Sequence, residues 1–475
     1  MAYNLNKLTT NAKVSQVQLD YYAPTATIQG ASLTNVYAFL GQEDSWPVWP
    51  VIGGVETPIQ PTEDQSYLKK TFKNMFAAKL INSSNMSPVI QRIDWANNVN
   101  YFAYVDNVEI MTKDTNGFLV HNFYIKNRFD QVFKCLANNN GGLSTSEPFF
   151  QPGSYGTNNI YEGADLYKWK YMYTIDAGSK NKFMDSAWMP VPVGANTPQP
   201  YLTTAGWGDI EVINITNGGS GYDALNQYIT VTVTGDGVGA TANITSAQVV
   251  GGAIKDVTVK TAGNNYTYAN VTINAYTSAN LKFLAPGVTQ ATAIAPISPV
   301  GGHAYDPISE LGCTNIMYAV EFNGSEGGVL PTTGVDYRQV GLLVNPKVYG
   351  SVGPIAANGA IYNLATQFIL SAGAGNVYVA DEIVQQTDNS GNVLFSATVL
   401  NFNTSSNLLQ IINTYGTPVI GQSVIGQTSG ASRVLFSEST PTMIPFSGLI
   451  TYIENRAGVS RSDDGIEQFK FILGY

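Results

Sequence analysis

The chain carries only two histidines, His121 and His303. His303 sits in Gly301–Pro307 (GGHAYDP), where an imidazole beside Asp306 could serve as a general base. The Gly-rich bend around it favours a structural residue bonded to backbone, and His121, in an alternating stretch, reads the same way. No His/Cys/carboxylate spacing suits a zinc site, so no metal is expected. Neighbouring carboxylates occur at Glu43–Asp44, Asp381–Glu382 and Asp463–Asp464. A glycosidase needs two carboxylates roughly 5–10 Å apart across a cleft, which sequence neighbours in loops do not supply. Asp463-Asp464-Gly465 reads as a solvated turn. Gly235–Ala240 (GDGVGA) looks like a dinucleotide fingerprint, but no helix pattern follows to receive a phosphate, so a loop is expected. Gly218–Gly221 (GGSG) is a broken nucleophile motif without a strand–elbow–helix context. Cys135 and Cys313 form no CxxC pair and read as two buried thiols. No catalytic set, cofactor or small-molecule ligand is expected from these residues.

The bulk composition points the same way. Hydrophobic residues make up 44% of the 475 positions and charged residues only 12%, about half the usual ~25%. Asn, Thr, Ser, Gln and Gly must therefore form much of the surface. That suits strands, loops and faces that partners cover. Net charge is −10, and no basic cluster exceeds Lys69–Lys70, which argues against nucleic acid as a partner. No apolar run reaches the ~20 residues of a membrane span. The N-terminal stretch shows no apolar core of a secretory signal, so synthesis and use in a cytoplasm-like compartment are expected.

The most telling pattern is a repeat. Ile210–Tyr222 (IEVINITNGGSGY) and Ile254–Tyr266 (IKDVTVKTAGNNY) lie forty-four positions apart. Each is an alternating strand, a Gly/Asn turn and a Tyr, followed by a second alternating stretch, Ile229–Gly235 or Val271–Tyr276. No acid, base or nucleophile recurs at an equivalent position. Elsewhere, Val36–Leu40, Pro88–Trp95, Tyr101–Val105, Phe118–Tyr124, Val132–Leu136 and Tyr167–Ile175 read as strands. In Tyr167–Ile175 (YKWKYMYTI) one face is heavily aromatic. Thr62 or Asp64 caps a helix expected to run through Leu80, with Leu68, Phe72, Met75, Phe76 and Leu80 on one face. Val377–Gln386, Val393–Leu400, Leu408–Asn413, Ser432–Phe436, Gly448–Glu454 and Ile466–Leu473 complete the strands. The aromatic excess, 28 Tyr, 20 Phe and 6 Trp, suits core and interface anchors better than a sugar groove. The candidate anchors are Trp46, Trp49, Trp95, Trp169, Tyr452 and Arg456.

Several stretches together resemble the dimeric baseplate wedge protein of T-even-type contractile-tailed bacteriophages. They are VYAFLGQEDSWP (Val36–Pro47), PVIQRIDW (Pro88–Trp95), VFKCL (Val132–Leu136), DLYKWKYMYTI (Asp165–Ile175), GGHAYDPISELG (Gly301–Gly312), DYRQVGLLVNP (Asp336–Pro346) and ITYIENRAGVSRSDDGIEQFKFIL (Ile450–Leu473). The resemblance rests on their order and spread. It implies a mixed α+β, β-rich chain: an α/β sandwich frame with inserted antiparallel β-sandwich domains. On that reading 1–98, 301–364 and 438–475 are frame, 99–206 is an inserted β-rich domain, 207–300 holds the repeat and its return connection, and 365–437 is a second inserted β module. It also implies a non-enzymatic virion subunit, assembled in the host cytoplasm, whose partners are a second copy and other wedge proteins. A receptor- or glycan-binding tail protein, using the aromatic-rich, Thr/Asn-rich β modules near 207–279 and 365–437, is the alternative. A virion-associated polysaccharide hydrolase would need a carboxylate pair that the sequence does not reveal.

Overall fold

A computed structural model describes residues 35–46, 56–115, 118–151, 159–193, 207–277, 281–326, 330, 335–348, 361–373, 375–444 and 446–474. The fold is β-rich, with several sheets and a closed barrel. Contacts divide it into two compact units. One contains Ser87–Met317; the other contains Tyr318–Phe471 and the described residues before Ser87.

The first unit is built on a four-stranded antiparallel sheet in the order Tyr124–Lys126, Gln131–Asn138, Tyr167–Thr174, Ile160–Glu162. Its two central strands are buried on both faces, so each face must meet another layer. Tyr101–Val105, expected as a strand, runs beside this sheet without joining a ladder. Phe102 and Tyr104 N–H donate to the Asn122 and Cys135 carbonyls, and Tyr101 N–H donates to the Tyr167 hydroxyl. Phe118–Tyr124 likewise contributes only its last residue to a strand.

The repeat folds as a pseudo-symmetric pair. Ile210 N–H donates to the Ala262 carbonyl and Ile254 N–H to that of Gly218, both at 2.9 Å. Tyr266 N–H donates to Gly208 and Tyr222 N–H to Gly252. Each bond is its twin shifted by the repeat period, so the two copies exchange the same contacts. Gly219 and Gly263 occupy equivalent left-handed positions, at φ +63° and +66°. Tyr222 and Tyr266 are both buried, and each hydroxyl accepts a backbone N–H, from Ala291 and Ala240. The core joins Ile210, Ile213, Ile254, Val257 and Ile273 to these tyrosines. Gly235–Ala240 spans a hairpin turn between strands Tyr228–Gly235 and Val238–Asn243, with no helix after it.

Gly221 closes one copy at φ +78°, and a Cβ there would sit 2.4 Å from the Gly287 carbonyl oxygen. Gly221→Val is expected to cost at least about 2 kcal/mol, because left-handed strain and the clash add. Ser220→Ala should stay within about 0.5 kcal/mol. Urea midpoints of the two variants check this; equal midpoints would remove the turn from the stability of the repeat.

The second unit carries a five-stranded antiparallel sheet in the order Ile361–Asn363, Met75–Ile81, Val36–Gly41, Asp336–Val344, Leu449–Ser460. The expected helix through Leu80 ends at Asn74. Asp64 caps its start, accepting from Tyr67 N–H. Met75–Ile81 is instead a strand paired on both sides. Met75, Phe76, Ala77 and Ala78 are all buried, so pairing in the sheet overrides helix propensity. The 365–437 module, expected as a sandwich, closes into a six-stranded barrel between Thr366 and Ser439. Closure leaves no unpaired edge. Phe368, Leu370, Val384, Phe395, Val399 and Leu409 pack together in its core. Of the expected strand Val377–Gln386, only Ile383 onward is extended, as Ile383–Thr387. Glu382 locks the preceding turn, accepting from Val379, Thr428 and Ser429 N–H and from the Ser429 hydroxyl.

Candidate functional site

Period-two alternation sends Tyr167, Trp169 and Tyr171 to one face of the central strand and Lys168 and Lys170 to the other. The aromatic face behaves as expected. Trp169 is fully buried, stacked on Tyr167 at 5.5 Å and edge-on to Tyr101 at 5.3 Å. The opposite face is the surprise, for both lysines are buried as well. Lys134 on the adjacent strand is the register partner of Lys170 and is also buried. Buried ammonium groups require partners.

Each lysine has one. Lys170 Nζ lies 2.8 and 3.1 Å from the two carboxylate oxygens of Glu211. Lys168 lies 2.7 Å from Asp256 and 3.1 Å from the Val257 carbonyl. Lys134 lies 3.0 Å from Glu310 and 3.2 Å from His303 Nδ1, with its ammonium 3.9 Å from the Tyr104 ring centre. These three cations thus each meet a buried carboxylate, and Lys168 also lies 3.6 Å from the exposed Glu162. Burial lowers the Lys134 pKa against the opposing pull of Glu310. Burial pushes Glu310 up, but Lys134 and His303 outweigh it and hold the carboxyl at about 2. Burial, with the Lys134 charge, pushes His303 below its ordinary value.

His303 therefore bonds to side chains and not to backbone as expected. Asp306 is not its partner: it caps the short helix Pro307–Glu310 by accepting from Ser309 N–H. The tetrad of Lys134, His303, Glu310 and Tyr104 has the residue types of a proton relay. All but Tyr104 are buried, however, and Tyr104 is half-buried with its hydroxyl bonded to the Ile297 carbonyl. Such an arrangement pins strands together. Among the described residues no group of three His, Cys, Asp or Glu side chains could hold a metal ion. Cys135 and Cys313 are both free and buried, and burial raises the Cys313 thiol to about 12. No described helix is long and apolar enough to cross a membrane. No family model and no curated protein matches this chain.

The candidate anchors divide between the units. Trp46 is buried, and its Nε1 donates to the Arg456 carbonyl at 2.8 Å, bringing two of them together in the second unit. Arg456 pairs with Glu454 at 2.6 Å and covers the Phe469 ring. Tyr452 meets Phe471 edge-on. In the first unit Trp95 is half-buried and donates to Ser144 Oγ at 3.1 Å. Trp49 lies outside the described residues. Lys134, Lys168, Lys170, Glu211, Asp256 and Glu310 were not anticipated. The available signal was a strand with lysines at every second position inside an otherwise apolar run.

The second unit gathers acids that the sequence keeps apart. The carboxyls of Asp44 and Asp381 interact directly, and a proton held between them would relieve their repulsion. Desolvation and the neighbouring Asp44 push Asp381 up to about 6. Desolvation and the surrounding acids push Glu43 up to about 11, and neither of its buried oxygens has a hydrogen-bond partner. Arg338 bonds to the Glu43 carbonyl and to Glu56 and Asp336. An acid with a raised folded pKa costs stability as pH climbs from its unfolded value, about 3.9, to its folded one. The second unit should therefore gain stability as pH falls from 6 toward 4. The first unit should lose it below about 4.5, the unfolded range of a carboxyl such as Glu310. Asp381→Asn is expected to raise the melting temperature at pH 7 and to leave it unchanged near pH 4. Equal shifts at both pH values would show that no proton is shared.

Proposed function

We propose that the protein is a structural subunit of a contractile phage tail, a baseplate wedge component that works through protein–protein contacts. One observation supports the reading: within each unit, stretches that resemble the wedge family and are far apart in sequence lie side by side. VFKCL, DLYKWKYMYTI and GGHAYDPISELG supply Lys134, Lys170, His303 and Glu310 to one buried charge layer. VYAFLGQEDSWP, DYRQVGLLVNP and ITYIENR supply three adjacent strands of the five-stranded sheet. On this reading that sheet and the helix Gln65–Asn74 belong to the α/β sandwich frame.

Buried ion pairs, short turns and a closed barrel make stiff parts, which suits a spacer that keeps its geometry while neighbours rearrange. The low charge density and exposed side chains such as Leu225 and Val300, 86% and 82% accessible, suit faces that other subunits cover. Obligate interfaces of this kind bury on the order of 2,000–5,000 Å². Sedimentation at micromolar concentration should show a dimer of the 51.0 kDa chain, and labelled virions should carry the label at the baseplate. A strict monomer absent from purified tails would overturn the proposal.

A further inference from the structure

The sequence leaves open whether either β insert, 207–279 or 365–437, takes a sugar, and otherwise expects no small ligand. The barrel interior of the 365–437 insert is filled by side chains. The first unit, however, holds a cavity of about 540 Å³ between the central sheet and the repeat, within the ~300–1,000 Å³ typical of ligand sites. Its walls combine the amides of Asn138, Asn139 and Asn140 and the Thr216 hydroxyl with apolar side chains such as Phe102 and Ile215.

These groups are held in place. Asn138 donates to the Tyr101 carbonyl at 3.0 Å and accepts from Gly141 N–H. Asn140 donates to the Thr216 carbonyl at 3.3 Å. Asn214 donates to the Leu136 carbonyl at 2.8 Å. Phe102 is backed by His121, stacked at 4.4 Å, which fixes the ring as an apolar platform.

We propose that this cleft binds a neutral oligosaccharide. Sugar hydroxyls both donate and accept, so they match oriented amides, which do the same. The apolar face of a pyranose suits the Phe102 ring. Charge recognition has little to work with: Asp256, in the lining, is already engaged by Lys168 and Gln248. Lys255 is the cation of the lining, and it is exposed. An extended peptide would need the edge of strand Asn214–Asn217, where Asn140 already occupies the Thr216 carbonyl. The proposal does not rest on the scaffold reading, since a tail subunit that binds no sugar leaves that reading standing.

The test uses the full chain on an array of neutral and acidic bacterial oligosaccharides, with the best neutral binder then titrated by calorimetry. Thr216 is exposed, so Thr216→Trp should fill the cleft without unfolding the protein. It is expected to weaken binding at least about tenfold, at an unchanged melting temperature, because the ligand's hydrogen bonds are blocked. Lys255→Ala should change affinity less than about threefold, because the ligand carries no charge. Three results would each overturn the proposal: no neutral binder at millimolar concentration, affinity indifferent to Thr216→Trp, or preference for acidic glycans that Lys255→Ala abolishes.

Discussion

Lys170→Met is expected to destabilise the first unit by about 3–5 kcal/mol, the usual result of removing one member of a buried ion pair. The loss comes less from the missing attraction than from what stays behind. Glu211 has only 3% of its side chain accessible, so its charge would keep the desolvation cost without an ammonium beside it. Asp209 adds to this, since burial and the Glu211 charge already raise its pKa. One effect works the other way. Lys134 is the register neighbour of Lys170 and gains from losing a like charge, which places the expected value toward the lower end of the range. The double variant Lys170→Met/Glu211→Leu should recover most of the loss, because an apolar pair of similar volume needs no compensation. Urea unfolding followed by tryptophan fluorescence measures both. A single-variant loss under about 1 kcal/mol would mean that Glu211 reaches water by a small rearrangement.

The pattern of success along the chain follows from where each signal lives. Strands with strong alternation or an unbroken apolar run were legible: Val36–Gly41, Gln131–Asn138, Tyr167–Thr174 and Ile466–Gly474 all sit where the pattern predicts. The repeat was legible because its Gly and Asn residues answer a local backbone demand. Its pairing was not, since Ile210 with Ala262 and Ile254 with Gly218 are non-local contacts. The end of the helix at Asn74 was missed for a related reason: Met75, Phe76 and Leu80 fit a helical face equally well, and the sheet decides. The charge layer was missed because its acids occupy no shared position. Glu211 follows Ile210 by one residue, whereas Asp256 follows Ile254 by two. Glu310 comes from the short helix Pro307–Glu310, far along the chain. The Asp44–Asp381 contact is likewise invisible before the chain folds.

Chemistry-bearing side chains therefore mark joints in this protein. The three lysines stand on one face of one sheet, while the acids that answer them come from both copies of the repeat and from the Gly301–Gly312 segment. Hydrophobic contact alone would let such layers slide or re-pair. An ion pair with two or three fixed hydrogen bonds has one good register, which is the best-attested use of buried charge. That specificity of register matters more here than the modest net stability of a buried pair.

Trp169→Ala tests the other face of the same strand and should cost about 3–5 kcal/mol. The indole is fully buried, stacked on Tyr167, and next to Tyr101 and the register partner Cys135. Truncation would leave a void walled by rigid rings and paired strands, which have little freedom to collapse into it. Trp169→Phe should be far milder, below about 1.5 kcal/mol, because most of the ring volume is kept. A second effect favours phenylalanine. The indole Nε1 is buried without a hydrogen-bond partner, and removing such a group recovers part of a desolvation penalty of about 1–3 kcal/mol. The ratio of the two losses is therefore more telling than either alone. If Trp169→Phe costs as much as Trp169→Ala, the N–H has a partner and the residue acts as a polar anchor. If neither moves the unfolding midpoint, the ring is not part of the core, and the aromatic face of the central strand must be reassigned to an interface.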